Sequence, residues 1–280
     1  MSTKNEWYDE VWNPVTECNP IGEVTYHQDR LLELFKWKKP RRVLVCSMGD
    51  LFHESVKDWQ LHEIFGTMLA CKFLCNHPDH VFMLLTKRPW RLTDYLSRDP
   101  VELLKAWSQH ADGFVQMDDD ERFSTHIRNW CSYPPLNPDG TLDANRYGSW
   151  EYPQNLFPLS NIWFGVSAEN QQRVDERIPI LAQIPAAKRF VAVEPIFGSV
   201  NLVRYLNDLR LPGPSWGGDG PEQGPNRLSW VIIGQETGPG ARPAEATWFN
   251  DIIRQCKEAE APVFVKKAPA TVPIIREFPG

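Results

Sequence analysis

Apolar residues gather into short uninterrupted runs, and each run ends in a polar or charged tip. The run Val43–Cys46 sets the pattern and is followed by Ser47, Met48, Gly49 and Asp50. Unbroken runs of Val, Ile and Leu predict strands covered on both faces, as in a parallel sheet. The pattern recurs at Val81–Thr86, with Lys87, Arg88 and Pro89 as its tip, and at Ile162–Val166, with Ser167, Ala168, Glu169 and Asn170. It recurs at Lys188–Val193 with Glu194 and Pro195, at Trp230–Ile233 with Gly234, Gln235 and Glu236, and at Pro262–Val265 with Lys266 and Lys267. Residues 7–18 read as a first short strand ending at Cys18, with a bend at Asn13 and Pro14.

Between these runs the apolar spacing becomes helical. Val56–Leu74 carries Trp59, Leu61, Ile64, Phe65, Met68 and Leu69 near a 3.6-residue period, and Trp90–Leu96, Gln171–Leu181 and Ala244–Ala259 read as helices as well. Residues 19–35 add a short strand at Glu23–Tyr26 and an apolar-periodic piece at Leu31–Phe35. Residues 99–160 break the rhythm with a helical piece at Val101–Trp107, an acidic run at Asp118–Glu121 and a long stretch rich in Pro, Gly and Asn. They read as an inserted loop or lid. A second Gly/Pro-rich loop spans Leu211–Pro225. Strands alternating with helices predict an α/β fold with a parallel sheet and right-handed crossovers. A partial parallel (β/α) barrel in one domain, 1–280, fits better than a doubly wound sheet, because polar tips follow every strand rather than one switch point.

Composition narrows the class. A net charge of −6 over 280 residues gives the whole molecule no attraction for polyanions. A local basic patch leaves nucleic acid open as a partner. The cluster Lys36, Lys38, Lys39, Arg41 and Arg42 enters its strand at the end opposite the tips, so it reads as a solvated turn. The six cysteines read as reduced thiols, the N-terminus is too polar for a secretory signal, and no run is long enough for a membrane span. The expectation is a cytoplasmic protein with no membrane partner. Cys71, Cys75, His77 and His80 match zinc ligands in type, but a helix end and a turn explain them more simply. No metal ligands are assigned.

Collected at one mouth, the tips offer Asp50, Glu169, Glu194 and Glu236 as carboxylates and Lys87, Arg88, Lys266 and Lys267 as cations. Ser47, Thr86, Ser167, Asn170 and Gln235 are neutral partners. This mixture suits a small ligand carrying both charge signs, such as an amino acid or a nucleotide-like molecule with an amino-acid tail. A ring of mutually neutralising ion pairs is the structural alternative. His53 reads as a structural group beside Asp50 rather than an acid–base residue.

The motifs WNPVTEC, WKKPRRVLVCSMGDLFHE, LLTKRP, IWFGVSAEN with DERIPIL, RFVAVEPIFG, WVIIGQETGPGARP and VFVKK occur in this order. In this they resemble an uncharacterised family of phage and bacterial proteins, the phage gp37/gp68-type family, which looks like radical S-adenosylmethionine (SAM) barrels. The resemblance covers the chain outside 99–160 and 206–228. It implies a SAM site and a 4Fe–4S cluster. With the tips read as above and Cys18 at the family's cluster position, the candidate cofactor-binding residues are Cys18, Ser47, Asp50, Ser167, Glu169, Asn170 and Glu194, and the candidate catalytic ones are Lys87, Glu236 and Lys266. The chain departs from the family at the cluster loop, where Cys18 is followed by no further cysteine before Cys46. One thiolate does not hold a four-iron cluster. The expected function is a radical-SAM-like protein that retains a SAM or nucleotide-like pocket without the cluster motif. The alternatives are a non-catalytic barrel binding a nucleotide-like ligand or a partner protein, and a metal-dependent hydrolase.

Overall fold

The computed structural model describes residues 8–18, 23–73, 79–115, 158–207 and 227–280. The chain enters through β1 (Glu10–Trp12), and β2 (Val15–Cys18) then pairs antiparallel with β3 (Glu23–Tyr26). The single strand expected over 7–18 is therefore two strands in two different sheets. Pro14 sits at the break, and the Asn13 side chain accepts a hydrogen bond from the Met48 N–H (3.3 Å), so the bend is tied to the turn after the next sheet strand. A 3₁₀ helix (Gln28–Lys36) leads into β4 (Arg42–Val45), and α1 (Asp58–Phe73) leads into β5 (Val81–Thr86). Next come α2 (Pro89–Leu96), α3 (Pro100–Val115), β6 (Ile162–Ser167), α4 (Gln171–Leu181) and β7 (Lys188–Val193). The chain ends with α5 (Val203–Leu206), β8 (Trp230–Ile233), α6 (Ala246–Glu258) and β9 (Val263–Val265).

Seven strands form one sheet in the order β1-β4-β5-β6-β7-β8-β9, and every neighbouring pair is parallel. That order never reverses. Crossovers of one hand then carry all the connecting helices to the same face, and the sheet curls around its other face as a half-barrel. The doubly wound alternative would need a reversal of strand order, which the sheet lacks.

The two faces bury different residues. Val43, Val45, Phe82, Leu84, Phe164, Val166, Val191, Val193, Val231 and Ile233 belong to the core shared with the helices. The alternate positions Leu44, Met83, Trp163, Phe190, Trp230, Ile232 and Phe264 form a second core on the concave face. Burial on both faces is why these strands read as continuous apolar runs. Ring centroids lie 6.0 Å apart for Phe190 and Trp230 and 6.2 Å apart for Trp230 and Phe264. Gly165 is required beside them, because a Cβ there would lie 2.4 Å from the Phe190 ring.

The C-terminal tail completes this interior. Phe278 packs 5.5 Å from Trp230 and 5.5 Å from Phe264, and the Trp230 indole N–H donates to the Glu277 carbonyl at 2.9 Å. The tail also covers the outer edge of β9, through Val265 N–H to Ile275 O (3.0 Å) and Glu277 N–H to Val263 O (3.2 Å). The basic residues before β4 serve this closed end. Arg41 pairs with Glu10, and Arg42 pairs with Asp9 and lies 3.8 Å over the Phe278 ring. They hold structure at the N-terminal ends of the strands, away from the tips.

The first part of the expected insertion belongs to the body. In α3, Leu103, Leu104, Trp107 and Ala111 are buried, and Trp107 stacks on Phe65 of α1 at 4.8 Å. Residues 116–157 and the loop at 211–225 lie outside the described residues. Among the described residues no helix is long and apolar enough to cross a membrane.

Substituting Gly165→Ala is expected to destabilise the fold by roughly 1–3 kcal/mol in urea unfolding, because the new methyl overlaps the Phe190 ring. Phe190→Leu in the same chain should recover part of the loss. A neutral Gly165→Ala would show that the interior is loosely packed there.

Candidate functional site

Aromatic side chains fill the N-terminal half of the concave face, so small and charged residues take the other half. Continuing each strand's alternation past its end brings Ser167, Glu194, Gly234 and Lys266 to the C-terminal edge. There the Lys266 ammonium lies 2.7 Å from a Glu194 carboxylate oxygen. The two side chains keep 28% and 20% exposure, so the pair is sunk into the mouth yet reachable from solvent. Gly234 makes room for it, since a Cβ at that position would lie 3.1 Å from the Glu194 side chain. Backbone bonds hold the tips beyond the strands: Lys266 N–H to Ile233 O (2.8 Å), Gln235 N–H to Lys267 O (2.8 Å) and Ile196 N–H to Gly234 O (2.9 Å).

Asp50 anchors a second group, at the tips of β4 and β5. It is buried and accepts from the Thr86 hydroxyl (2.7 Å), the Phe52 N–H (3.0 Å), the Lys87 N–H (3.0 Å) and the Arg88 guanidinium (3.1 Å). Four donors on one buried carboxylate make it the tie between two strand ends. Lys87 itself is exposed, and the Ser47 hydroxyl, also exposed, reaches Asn13 at 3.3 Å. Arg88, which also meets Glu54 at 3.4 Å, is spent on this tie.

At the tip of β6, Glu169 pairs with Arg177 (3.2 Å), whose guanidinium also donates to the Ser167 carbonyl (2.6 Å). Asn170 caps α4, its side chain accepting from the Arg173 N–H at 3.0 Å, and Ser167 is buried. After β8, Glu236 accepts from Arg242 three times: Nε at 2.8 Å, Nη2 at 2.9 Å and the main-chain N–H at 2.9 Å. These side-chain and backbone hydrogen bonds pull the Glu236 carboxyl down to about 2. It is thus ionised at neutral pH and acts as an acceptor. Arg242 in turn lies 3.7 Å over the Phe197 ring.

Among the predicted site residues described here, one ion pair joins two of them directly, Glu194 with Lys266. Asp50 is engaged by Thr86 and Arg88, tip residues that the sequence also offered, whereas Glu169, Asn170 and Glu236 are engaged by residues that sequence reasoning did not select: Arg177, Arg173 and Arg242. The spacing of Glu236 and Arg242 around Gly238 and Gly240 was the available signal for one of these pairs, since glycines that allow a tight turn bring such residues together.

The described cysteines do not fit a four-iron cluster. Cys18 lies at the end of β2, in register with Glu23 in the hairpin rather than on the parallel sheet. Cys46 is the first residue of the turn after β4, with φ 58°, and burial pushes its thiol up to about 12. Burial likewise raises the Cys71 thiol, and it pushes Cys256 up to about 12. Buried, protonated thiols on separate elements are not thiolate ligands. Of the zinc-like group, Cys71 is buried in α1 and His80 is buried against Trp37 and Phe82, while Cys75 and His77 lie outside the described residues. Among the described residues no group of three or more His, Cys, Asp or Glu side chains is placed to hold a metal ion.

The model of a family described as protein of unknown function (DUF5131) matches residues 21–273. No curated protein and no solved structure matches the chain.

Asp50→Ala is expected to cost roughly 2–4 kcal/mol in thermal or urea unfolding, since it leaves a guanidinium and buried donors without their acceptor. A change below about 0.5 kcal/mol would show that Asp50 is not a structural tie. Glu236 should titrate near pH 2 rather than near its ordinary 4.5. Its folded value is depressed, so its contribution is complete above about 4.5 and is lost as the pH falls toward 2. A carboxyl-carbon NMR titration with an ordinary midpoint would mean the Arg242 contact does not persist in solution.

Proposed function

We propose that this chain, which belongs to the DUF5131 family, binds a small zwitterionic, nucleotide-like ligand at the C-terminal mouth of its half-barrel. The observation that carries the reading is the partly exposed Glu194–Lys266 pair on the concave face. Lys266 is placed to take a ligand carboxylate and Glu194 to take its ammonium, each in a charge-assisted hydrogen bond. Glu169 and Asn170 at the β6 tip are the acceptors nearest to hand for ribose hydroxyls. Asp50 acts through position, tying the Lys87 backbone and the β5 tip to the turn after β4.

The motif resemblance supports a finer identity, a relative of the phage gp37/gp68-type proteins and of radical-SAM barrels, with SAM as the ligand. Because the described cysteines do not fit the cluster, no radical step is assigned. For a proton-transfer reaction, Lys266 and Lys87 are the candidate donors. Glu236, ionised and held by Arg242, is a candidate for electrostatic stabilisation. A partner-protein reading draws on a separate observation. Met48, Trp59 and Trp90, on the segments following β4 and β5, are 66%, 51% and 51% exposed.

Titration calorimetry with SAM tests the ligand reading. Binding is expected, weakened about ten- to a hundredfold by Glu194→Ala and by Lys266→Met, as for the loss of one charged contact. Absence of binding at millimolar SAM, or binding indifferent to both substitutions, would favour the partner-protein reading. Anaerobic reconstitution is expected to leave the chain without stoichiometric iron and sulfide. Stoichiometric loading that disappears in Cys18→Ala would overturn the assignment of a cluster-free site.

A further inference from the structure

We propose that Arg242 and Phe197 form a stacking platform that receives the planar ring of a nucleobase at the rim of the mouth. The inference rests on the ligand reading above and supplies the part of the site that selects a nucleoside. Glu236 holds the guanidinium by Nε and Nη2, at 2.8 and 2.9 Å, and the Phe197 ring covers one face at 3.7 Å. One edge and one face are thereby fixed. The opposite face and Nη1 are what the group can offer to a ligand, and the Arg242 side chain is 63% exposed.

The loop is built to keep that plane still. The same carboxylate also accepts the Arg242 main-chain N–H, and Ala241 N–H bonds Gly238 O at 3.2 Å. Gly238 and Gly240 take φ values of 104° and 77°, which lets the chain turn back on itself between the acid and the arginine. An ordinary exposed ion pair gains little and needs no aromatic partner. Here the long side chain is ordered by two bonds and a ring, and a third bond holds its main-chain N–H. A flat, delocalised, weakly hydrated guanidinium held this way is a surface on which heteroaromatic rings stack.

Its place suits the ligand. Phe197 follows Glu194 by three residues, so their Cα atoms are at most about 11 Å apart. The Phe197 N–H is bonded to Glu169 O at 2.9 Å, which ties the backbone after the β7 tip to the β6 tip. A molecule with a charged tail on Glu194 and Lys266 and a base about one sugar away spans that distance.

The test is titration calorimetry on the full chain with three probes: SAM, adenosine and methionine. Arg242→Lys keeps the charge and removes the plane. Phe197→Leu keeps apolar bulk and removes the ring. Each is expected to weaken SAM and adenosine about tenfold and to leave methionine unchanged. Unchanged adenosine affinity in Arg242→Lys, or an equal loss for methionine, would overturn the platform while SAM binding by the wild type upholds the ligand reading. A wild type that binds methionine but neither nucleoside would overturn the platform and, with it, the nucleotide-like part of the ligand reading. A wild type that binds none of the three at millimolar concentration would overturn both.

Discussion

The packing of Trp230 against Phe190, Phe264 and Phe278 is the constraint on which the rest of the molecule depends. A curled parallel sheet must fill its concave side with something, and an open half-barrel has no far wall to help. Here large rings from three neighbouring strands fill the N-terminal half, and the tail adds a fourth ring that seals the end. Side chains on a strand alternate between faces, so filling the lower concave positions leaves the next ones in the same columns at the upper edge. Those positions are Ser167, Glu194, Gly234 and Lys266. The mouth is what remains when the interior is packed from one end.

Charge at that mouth is organised by how many partners each carboxylate has. Asp50 has four donors and Glu236 three, all from neighbouring residues, and such groups have little left for a ligand. Glu169 shares itself with Arg177 and Arg173. Glu194 has one cation, Lys266, and that cation has Glu194 alone among the ion pairs of the described residues. The distinction separates groups that hold the tips together from a pair that can exchange partners. Neutralising ion pairs hold most of the tips, and the proposed binding site rests on the one pair, Glu194 and Lys266, that has no further charged partner among the described residues.

The strands were legible because burial on both faces writes an unmistakable signal, and the six runs expected from Val43 onward lie within a residue or so of β4 to β9. The bend at Asn13 and Pro14 was legible, but its consequence was not. Whether the chain stays in the sheet or leaves it for a hairpin depends on pairing with Glu23–Tyr26, which is a contact and not a local preference. The tail was illegible for the same reason. Phe278 looks like a stray aromatic near a Pro and a Gly until Trp230 is known to lie beneath it. Within the site, Asp50 and Glu194 have the same sequence signature, an acid just past an apolar run. Only the donors gathered around each show that one is a tie and the other an open partner. Arg242 and Arg177 were overlooked because each lies away from a tip in sequence and reaches it through folding.

A preformed ion pair also constrains what it can bind. A simple anion attracted to Lys266 would have to displace Glu194, leaving a half-buried carboxylate without its cation, which is costly. A simple cation drawn to Glu194 would strand Lys266 in the same way. A zwitterion with its two charges a few ångströms apart replaces both contacts at once, so each protein charge changes partner without losing one. On the proposed reading, the mouth selects a ligand by charge pattern rather than net charge. Affinity then depends on whatever else the ligand carries, because the exchange itself is close to neutral. That places the selective contacts on the uncharged part of the ligand, against the backbone of the tips and the flat groups at the rim.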